Sequence, residues 1–186
     1  MGIEIEKKYR LTTAQRDAVV QRLREVGAEF RGDEFEENTI YRGEALKREN
    51  SVLRLRRVGE RALLTYKERL PGASAVKQQR EEETEVADPD AVHAILEALG
   101  FTPALVYEKR RQTWVVADAE VVIDELSFGL FMEIEGDEEQ IHVVEQSLRI
   151  ADLPAEHSTY PQLTRELGKR VGDAFEARFS SHNLSK

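Results

Sequence analysis

Charged side chains that recur at every second residue constrain this chain more than any other feature of its sequence. They occur in five segments: 3–11 (IEIEKKYRL), 51–58 (SVLRLRRV), 78–86 (QQREEETEV), 107–116 (YEKRRQTWVV) and 131–137 (FMEIEGD). Because successive side chains of a β-strand point to opposite faces, this period places charges on one face of each strand and mainly apolar residues on the other. The pattern predicts a sheet with one strongly charged face.

The sign of the charge changes from strand to strand. The first, third and fifth segments are mainly acidic, and the second and fourth are basic. A solvated outer face with salt bridges would explain any single strand, since each such pair contributes about 0–1 kcal/mol and needs no function. The segregation by strand favours a closed barrel whose charged rows point inward. Carboxylates would then bind a hard divalent cation, and Lys and Arg would bind phosphate oxygens.

Helix signals lie between these strands. Thr12 or Thr13 can cap a helix that stops at Gly27, Asp88 can cap one that stops at Gly100, and two more are expected over 138–149 and near 160–178. A strand is predicted near 38–41, a loop over 43–49 and a hairpin turn at 58–61. We therefore predict an α+β fold in a single domain, residues 1–186, with 168–186 a C-terminal helix or tail.

Composition excludes several classes of function. The net charge of −9 argues against a nucleic-acid-binding surface, and no segment reaches the ~18 apolar residues of a membrane span. The chain has no cysteine, its four histidines lack metal-ligand spacing, and no GxxxxGK[ST] loop is present. These features predict a cytoplasmic protein with no membrane or nucleic-acid partner, which would hold any phosphate through side chains.

Short motifs in a fixed order identify a resemblance. Residues 4–8 match an ExExK signature, and the similarity runs through LRLR (53–56), TYK (65–67), ETEV (83–86), LGF (99–101), YEKRR (107–111), VIDEL (122–126) and MEIEG (132–136). This order resembles the CYTH superfamily, the triphosphate tunnel metalloenzymes, over about residues 3–165. The second half looks most like the class IV adenylyl cyclase branch.

The resemblance implies an eight-stranded antiparallel β-barrel, the triphosphate tunnel, with helices packed outside. It assigns metal binding, of Mg²⁺ or Mn²⁺, to Glu4, Glu6, Asp124, Glu133 and Glu135. It assigns triphosphate binding to Arg54, Arg56, Lys67, Lys109 and Arg111, and catalytic roles to Lys8, Glu83 and Glu85. Glu81 shares the face of the last two, so the mid-chain acidic pair is either Glu83 with Glu85 or, in a register shifted by two residues, Glu81 with Glu83.

Three functions follow from this assignment. The first is metal-dependent hydrolysis of inorganic triphosphate or of an organic or nucleoside triphosphate. The second is cyclisation of ATP to cyclic AMP and pyrophosphate by a class IV adenylyl cyclase, and the third is a non-catalytic module that binds polyphosphate or a nucleotide. The expected partner is a triphosphate-containing small molecule, and a second copy of the chain is a possible one.

Overall fold

A computed structural model describes residues 5–49, 51–69 and 79–180. Its elements are β1 (Ile5–Leu11), α1 (Thr13–Glu25), β2 (Glu29–Arg42), α2 (Glu44–Arg48), β3 (Ser51–Val58), β4 (Arg61–Arg69), β5 (Gln79–Glu85), α3 (Pro89–Ala98), β6 (Thr102–Val116), β7 (Ala119–Leu126), β8 (Gly129–Gly136), α4 (Glu138–Leu148), α5 (Tyr160–Leu167), β9 (Lys169–Val171) and β10 (Ala174–Ala177). The α+β prediction is confirmed. No helix in these residues is long and apolar enough to cross a membrane.

The described residues form two compact units, 5–34 with 109–158 and 35–108 with 159–180. Strands β2 and β6 are each divided between the units along the chain. Because of this division, the prediction of a single domain over 1–186 stays a prediction, and each unit is described by itself.

The first unit is built on the antiparallel strand order β1-β8-β7, with the C-terminal half of β6 next to β7. One face of this sheet packs against α1 and α4. The shared core includes Tyr9, Leu11, Val19, Leu23, Trp114, Val121, Ile123, Met132, Ile134, Ile141, Val144 and Leu148. Burial of these side chains, at about 25 cal/mol per Å² of apolar surface, fixes which face of each strand points away from the helices.

The second unit contains the antiparallel order β2-β3-β4-β5. Its apolar face carries Tyr41, Leu53, Leu55, Leu64 and Tyr66, which pack with Leu46 of α2 and Leu96 of α3. The loop predicted over 43–49 is wrong, because the buried Leu46 docks a short helix there. Strand β2 is also longer than the segment predicted near 38–41.

The predicted helix ends are confirmed where capping chemistry marked them. Thr12 caps α1 with a capping box completed by Gln15, and Gly27 follows its last turn with a φ of +74°. Asp88 accepts hydrogen bonds from the backbone N–H groups of Asp90 and Ala91 at the start of α3. These caps satisfy backbone donors that the helix itself cannot pair.

The C-terminal region differs from the prediction. Residues 169–177 form a β-hairpin, β9–β10, where a helix or tail was expected, and β10 pairs in parallel with β6. Gly168 follows the last residue of α5, and the position requires glycine, because a Cβ there would lie 2.4 Å from the carbonyl oxygen of Thr164 and 2.9 Å from that of Glu176. Gly172, with a φ of +58°, provides the hairpin turn.

Candidate functional site

In the first unit, the face of the sheet opposite the helices carries the alternating charges. In register, Glu6 lies opposite Glu135, Lys8 opposite Glu133, and Arg111 opposite Asp124. We call this the first charged face and define it by Glu6, Lys8, Lys109, Arg111, Glu120, Asp124, Glu133 and Glu135. The alternation read from the sequence thus gathers charges of four strands on one surface.

A chain of close ion pairs links the centre of the first charged face. Arg111 binds Asp124 through two parallel contacts, Nε–Oδ1 at 2.7 Å and Nη2–Oδ2 at 2.5 Å. Its Nη2 also lies 2.8 Å from Glu133 Oε2, and Glu133 Oε1 lies 3.2 Å from Lys8 Nζ. Lys109 Nζ completes the chain, 3.6 Å from Asp124 Oδ2. Acids and bases therefore alternate through the network Lys8–Glu133–Arg111–Asp124–Lys109.

These charges are not on a solvated face. Asp124 is 0% exposed, Lys109 4% and Lys8 8%. Burying a charge costs several kcal/mol unless a partner and hydrogen bonds compensate it, so this network depends on its pairing. Surface salt bridges therefore do not explain this network, whereas Glu6, Glu120 and Glu135 of the same face are exposed.

The predicted metal ligands fall into two groups. Both oxygens of Asp124 and both of Glu133 contact Lys or Arg, so either residue would bind a cation only after an ion pair opens. Glu6 and Glu135 are exposed cross-strand neighbours, and Glu120 lies opposite Glu135 on the other side. Glu4 lies outside the described residues.

The carboxylates of the first charged face decide which metal it could bind. Within residues 5–49, 51–69 and 79–180, no three acidic or histidine side chains converge into a ready cation cage. Mg²⁺ is commonly held by one or two carboxylates together with substrate phosphates and water, and Glu6 with Glu135 fits that requirement. The oxygen-only donors suit Mg²⁺ or Mn²⁺ and do not suit a soft metal.

The second unit has its own charged face, opposite the core that α2 and α3 cover. Its register places Asn38 opposite Arg56, Arg54 opposite Thr65, Thr65 opposite Glu83, and Lys67 opposite Glu81. We call this the second charged face and define it by Glu36, Asn38, Arg54, Arg56, Thr65, Lys67, Glu81 and Glu83.

The two arginines of the second charged face are loosely paired. Arg56 Nε lies 3.8 Å from Glu36 Oε2, and Arg54 Nη2 lies 3.8 Å from Glu83 Oε2, both beyond hydrogen-bond length. Thr65 stands between the second pair: its Oγ1 accepts from Arg54 Nη2 at 3.3 Å and donates to Glu83 at 2.8 Å. The Nε groups of both arginines are buried and find no hydrogen-bond acceptor in the part of the chain that the structure describes.

Electrostatics agree with this geometry. Burial, together with the neighbouring charge of Arg56, lowers the pKa of Arg54 below its ordinary value. Glu36 and Glu83 oppose this shift and do not cancel it. The second charged face therefore carries partly buried positive charge that its own carboxylates only partly neutralise, as a site for an anion requires.

The remaining predicted residues lie beside this pair. Lys67 Nζ contacts Glu81 Oε2 at 2.7 Å. Glu83 joins Arg54 through Thr65, whereas Glu85 is exposed and lies opposite Leu63. Of Glu81, Glu83 and Glu85, the first two therefore lie next to basic side chains, namely Lys67 and Arg54.

Three residues of the second charged face were missed by the sequence analysis, namely Glu36, Asn38 and Thr65. All three are buried. The alternation of Glu36, Asn38 and Ile40 in the segment EENTIYR was the available signal. It was overlooked because one acid and one amide do not make a charged row, and Thr65 carries no charge at all.

A separate polar cluster lies on the helix side of β1. Lys7 Nζ contacts Glu145 Oε1 of α4 at 2.5 Å, and the Tyr9 hydroxyl donates to the same oxygen. Burial and this hydrogen bond raise the pKa of Tyr9 well above its ordinary value. Burial alone would raise the pKa of Glu145, but the hydrogen bonds from Lys7 and Tyr9 outweigh burial and lower it. The cluster ties α4 to β1.

Comparison with known proteins places the chain in a family. The CYTH domain family model matches residues 2–160. The chain therefore belongs to the CYTH domain family, as the motif order indicated.

Individual relatives agree with this assignment. A Methanocaldococcus jannaschii protein named "putative adenylate cyclase" is 28% identical over 137 residues, which are 72% of this chain and 76% of that protein. A Pyrococcus horikoshii structure is 27% identical, with a TM-score of 0.67, and the match covers 88% of this chain and 98% of that one. A Hippeastrum structure, at 20% identity and a TM-score of 0.65, shares the fold over 88% of this chain and 95% of its own. Its description is that of an adenylyl cyclase candidate with a dominant triphosphatase activity.

Proposed function

We propose that this protein is a divalent-metal-dependent enzyme that hydrolyses inorganic triphosphate or an organic or nucleoside triphosphate. The observation that carries the proposal is the partly buried Arg54–Arg56 pair, whose buried Nε–H groups lack acceptors among the described residues and whose carboxylate neighbours lie 3.8 Å away. A polyanion that enters this face would supply the missing acceptors. Membership of the CYTH family supports a triphosphate as that polyanion.

In this proposal, basic residues bind the phosphates and acidic residues bind the metal. Arg54, Arg56 and Lys67 would bind phosphate oxygens, with each arginine able to offer a planar fork of donors. Lys109 and Arg111 are assigned the same role, although both now bind Asp124. Glu6 and Glu135, with Glu4, would hold Mg²⁺ or Mn²⁺, which when bound would neutralise charge on the phosphates.

The catalytic assignments rest on acid–base chemistry. Glu83 accepts a hydrogen bond from Thr65 and would be oriented to take a proton from the attacking water, and Glu85 follows it on the same strand face. Lys8 is held by Glu133 and donates to the carbonyl oxygen of Ser158 at 3.3 Å, which fixes its ammonium group beside the acidic residues of β8. Lys8 would orient the nucleophile or bind a phosphate oxygen.

Cyclisation of ATP is the second candidate. The name of the Methanocaldococcus jannaschii relative favours it, and the same arginines would hold the triphosphate while the ribose 3′-hydroxyl attacks. The description of the Hippeastrum protein, an adenylyl cyclase candidate with a dominant triphosphatase activity, supports placing hydrolysis first.

The deciding experiment is an assay of the purified protein with inorganic triphosphate, ATP and thiamine triphosphate, each with Mg²⁺ or Mn²⁺. Phosphate release and cyclic AMP are followed together. We expect phosphate without cyclic AMP, and loss of activity when EDTA removes the metal. Cyclic AMP with pyrophosphate would establish the cyclase, and triphosphate binding without turnover would establish a binding module.

Location and assembly remain predictions. A cytoplasmic location follows from the composition alone. The possible homodimer is tested by light scattering on the purified protein, with one copy per particle as the contrary result.

A further inference from the structure

The buried amide of Asn38 lies beside the buried carboxylate of Glu36 on the same face of β2. Glu36 is 2% exposed and Asn38 1%. Asn38 Nδ2 donates to Glu36 Oε2 at 3.2 Å, and the same oxygen is the one that lies 3.8 Å from Arg56 Nε. Asn38 is also the direct cross-strand neighbour of Arg56. The amide thus shares the carboxylate oxygen nearest to the arginine.

Two arginine–carboxylate pairs of this chain differ in how closely the two groups approach. Where Arg111 meets Asp124, the two groups close to 2.7 and 2.5 Å in a bidentate pair. Where Arg56 meets Glu36, the separation is 3.8 Å, and Arg56 Nε finds no hydrogen-bond acceptor among the described residues. Asn38 is oriented by its bond to Glu36, and its own Oδ1 is buried without a donor there. Buried polar atoms are rarely left so, and the Nε–H group of Arg56 is a donor that an anionic ligand would satisfy.

We propose that Glu36 and Asn38 are positioning residues that set how strongly Arg56 binds the triphosphate. Glu36 orients the guanidinium group and partly neutralises it. Asn38 holds the Glu36 carboxylate back from a bidentate pair, so that the arginine keeps donors for phosphate oxygens. The inference rests on the proposed function and adds to it the residues that tune affinity.

Two nearly isosteric substitutions test the proposal because they change charge in opposite directions. Glu36→Gln removes the competing carboxylate, so Arg56 binds phosphate more strongly, and KM for inorganic triphosphate is expected to fall by roughly three- to tenfold. Asn38→Asp adds a second carboxylate beside Arg56, so the arginine pairs internally, and KM is expected to rise by about tenfold or more. The change in kcat is expected to stay within about threefold in both, since neither residue touches the reacting atoms.

The double variant and a control sharpen the test. Glu36→Gln with Asn38→Asp keeps the total charge and is expected to return KM toward the wild-type value. Glu37→Gln removes one carboxylate from the opposite face of the same strand and is expected to leave KM unchanged. Titration of inorganic triphosphate in EDTA measures binding without turnover, and the dissociation constants are expected to move in the same directions as KM.

Shifts of the same sign in both single variants, or no shift in either, would overturn the proposal. A purely structural role predicts that both variants unfold more easily and that kcat and KM do not separate. If Asn38→Asp does not fold, Asn38→Ala takes its place, because loss of the amide lets Glu36 close on Arg56 and also raises KM. Failure of the wild type to bind or hydrolyse any triphosphate would instead refute the proposed function, so the two failures are distinguishable.

Discussion

The two charged faces use the same residue types and pair them differently. On the first, Arg111, Asp124 and Glu133 are joined at 2.5–2.8 Å. On the second, Arg54 and Arg56 stand 3.8 Å from Glu83 and Glu36. Closed pairs use up their donors and acceptors, whereas open pairs keep theirs for a ligand. Among the arginines, the pairing distance, and not the residue type, separates a side chain that is held in an ion pair from one that keeps donors for a ligand.

The contrast has an energetic side. Removing one member of a buried, closed pair leaves the other uncompensated, which costs about 3–5 kcal/mol. Removing a buried arginine that is poorly compensated relieves repulsion and desolvation. Loss of Asp124 on the first charged face should therefore lower mainly stability, and loss of Arg54 or Arg56 on the second should lower mainly activity.

The largest effect is expected for Asp124→Asn. The substitution keeps the shape of a fully buried side chain and removes the charge that balances Arg111 and Lys109. The free energy of unfolding is expected to fall by about 3–5 kcal/mol, measured by urea denaturation. Glu125→Gln on the same strand breaks only the partly exposed pair with Arg110 and should cost no more than about 1 kcal/mol. Equal stability of the two variants would remove the distinction between the faces.

The next effect is expected for Arg54→Gln. The ratio kcat/KM for the best triphosphate should fall by about 10²–10³-fold, the usual loss when one preorganised donor is removed. Stability should stay the same or rise, because burial and Arg56 already disfavour the charge of Arg54. Arg57→Gln, on the opposite face of β3, is the matched control and should retain activity. A large loss of stability in Arg54→Gln would place this arginine in the scaffold.

The smallest effect is expected on how the free energy of unfolding changes with pH above about pH 10. The folded pKa of Tyr9 is raised above its unfolded value of about 10, so its contribution is fully present below pH 10 and is lost as pH rises toward the folded pKa. The Tyr9→Phe variant should therefore lose stability less steeply above pH 10 than the wild type. In the second unit, burial raises the pKa of Tyr41 only to about 12, so Tyr41→Phe should flatten the curve nearly as much up to about pH 11 and less as the pH approaches 12. Urea unfolding between about pH 9 and 11.5 measures both slopes, and an unchanged slope in Tyr9→Phe would contradict the assignment.

Much of this arrangement could be predicted from the sequence. Period-two alternation placed Lys8, Arg54, Arg56, Arg111 and Glu133 on charged strand faces, and the structure brings them onto two such faces. Capping residues and glycines fixed the ends of α1 and α3, because these signals act within one turn of the chain. The family followed from motif order and is confirmed.

What the sequence could not predict depends on distances between strands. The sequence does not show that Arg111 is closely paired with a carboxylate and that Arg54 is not, since each is an arginine two residues from another cationic side chain. Thr65 and Asn38 have no charge and enter the site only because the register places them opposite Arg54 and Arg56. The hairpin over 169–177 was missed because its strands are three and four residues long, too short for a period to show.

The parallel pairing of β10 with β6 joins two strands that the ribosome makes at different times. Phe175 lies opposite Leu105, which leaves the ribosome roughly 70 residues earlier. At a synthesis rate of about 5–20 residues per second, the segment of β6 around Leu105 remains without β10 for several seconds, while residues 109–158 are made. When the neighbour arrives, Arg178 joins Glu37, Glu108 and Glu176 through charged contacts. Strand β10 can therefore pair only late in synthesis. The second unit begins early in the chain, at residue 35, but it is completed after the first unit.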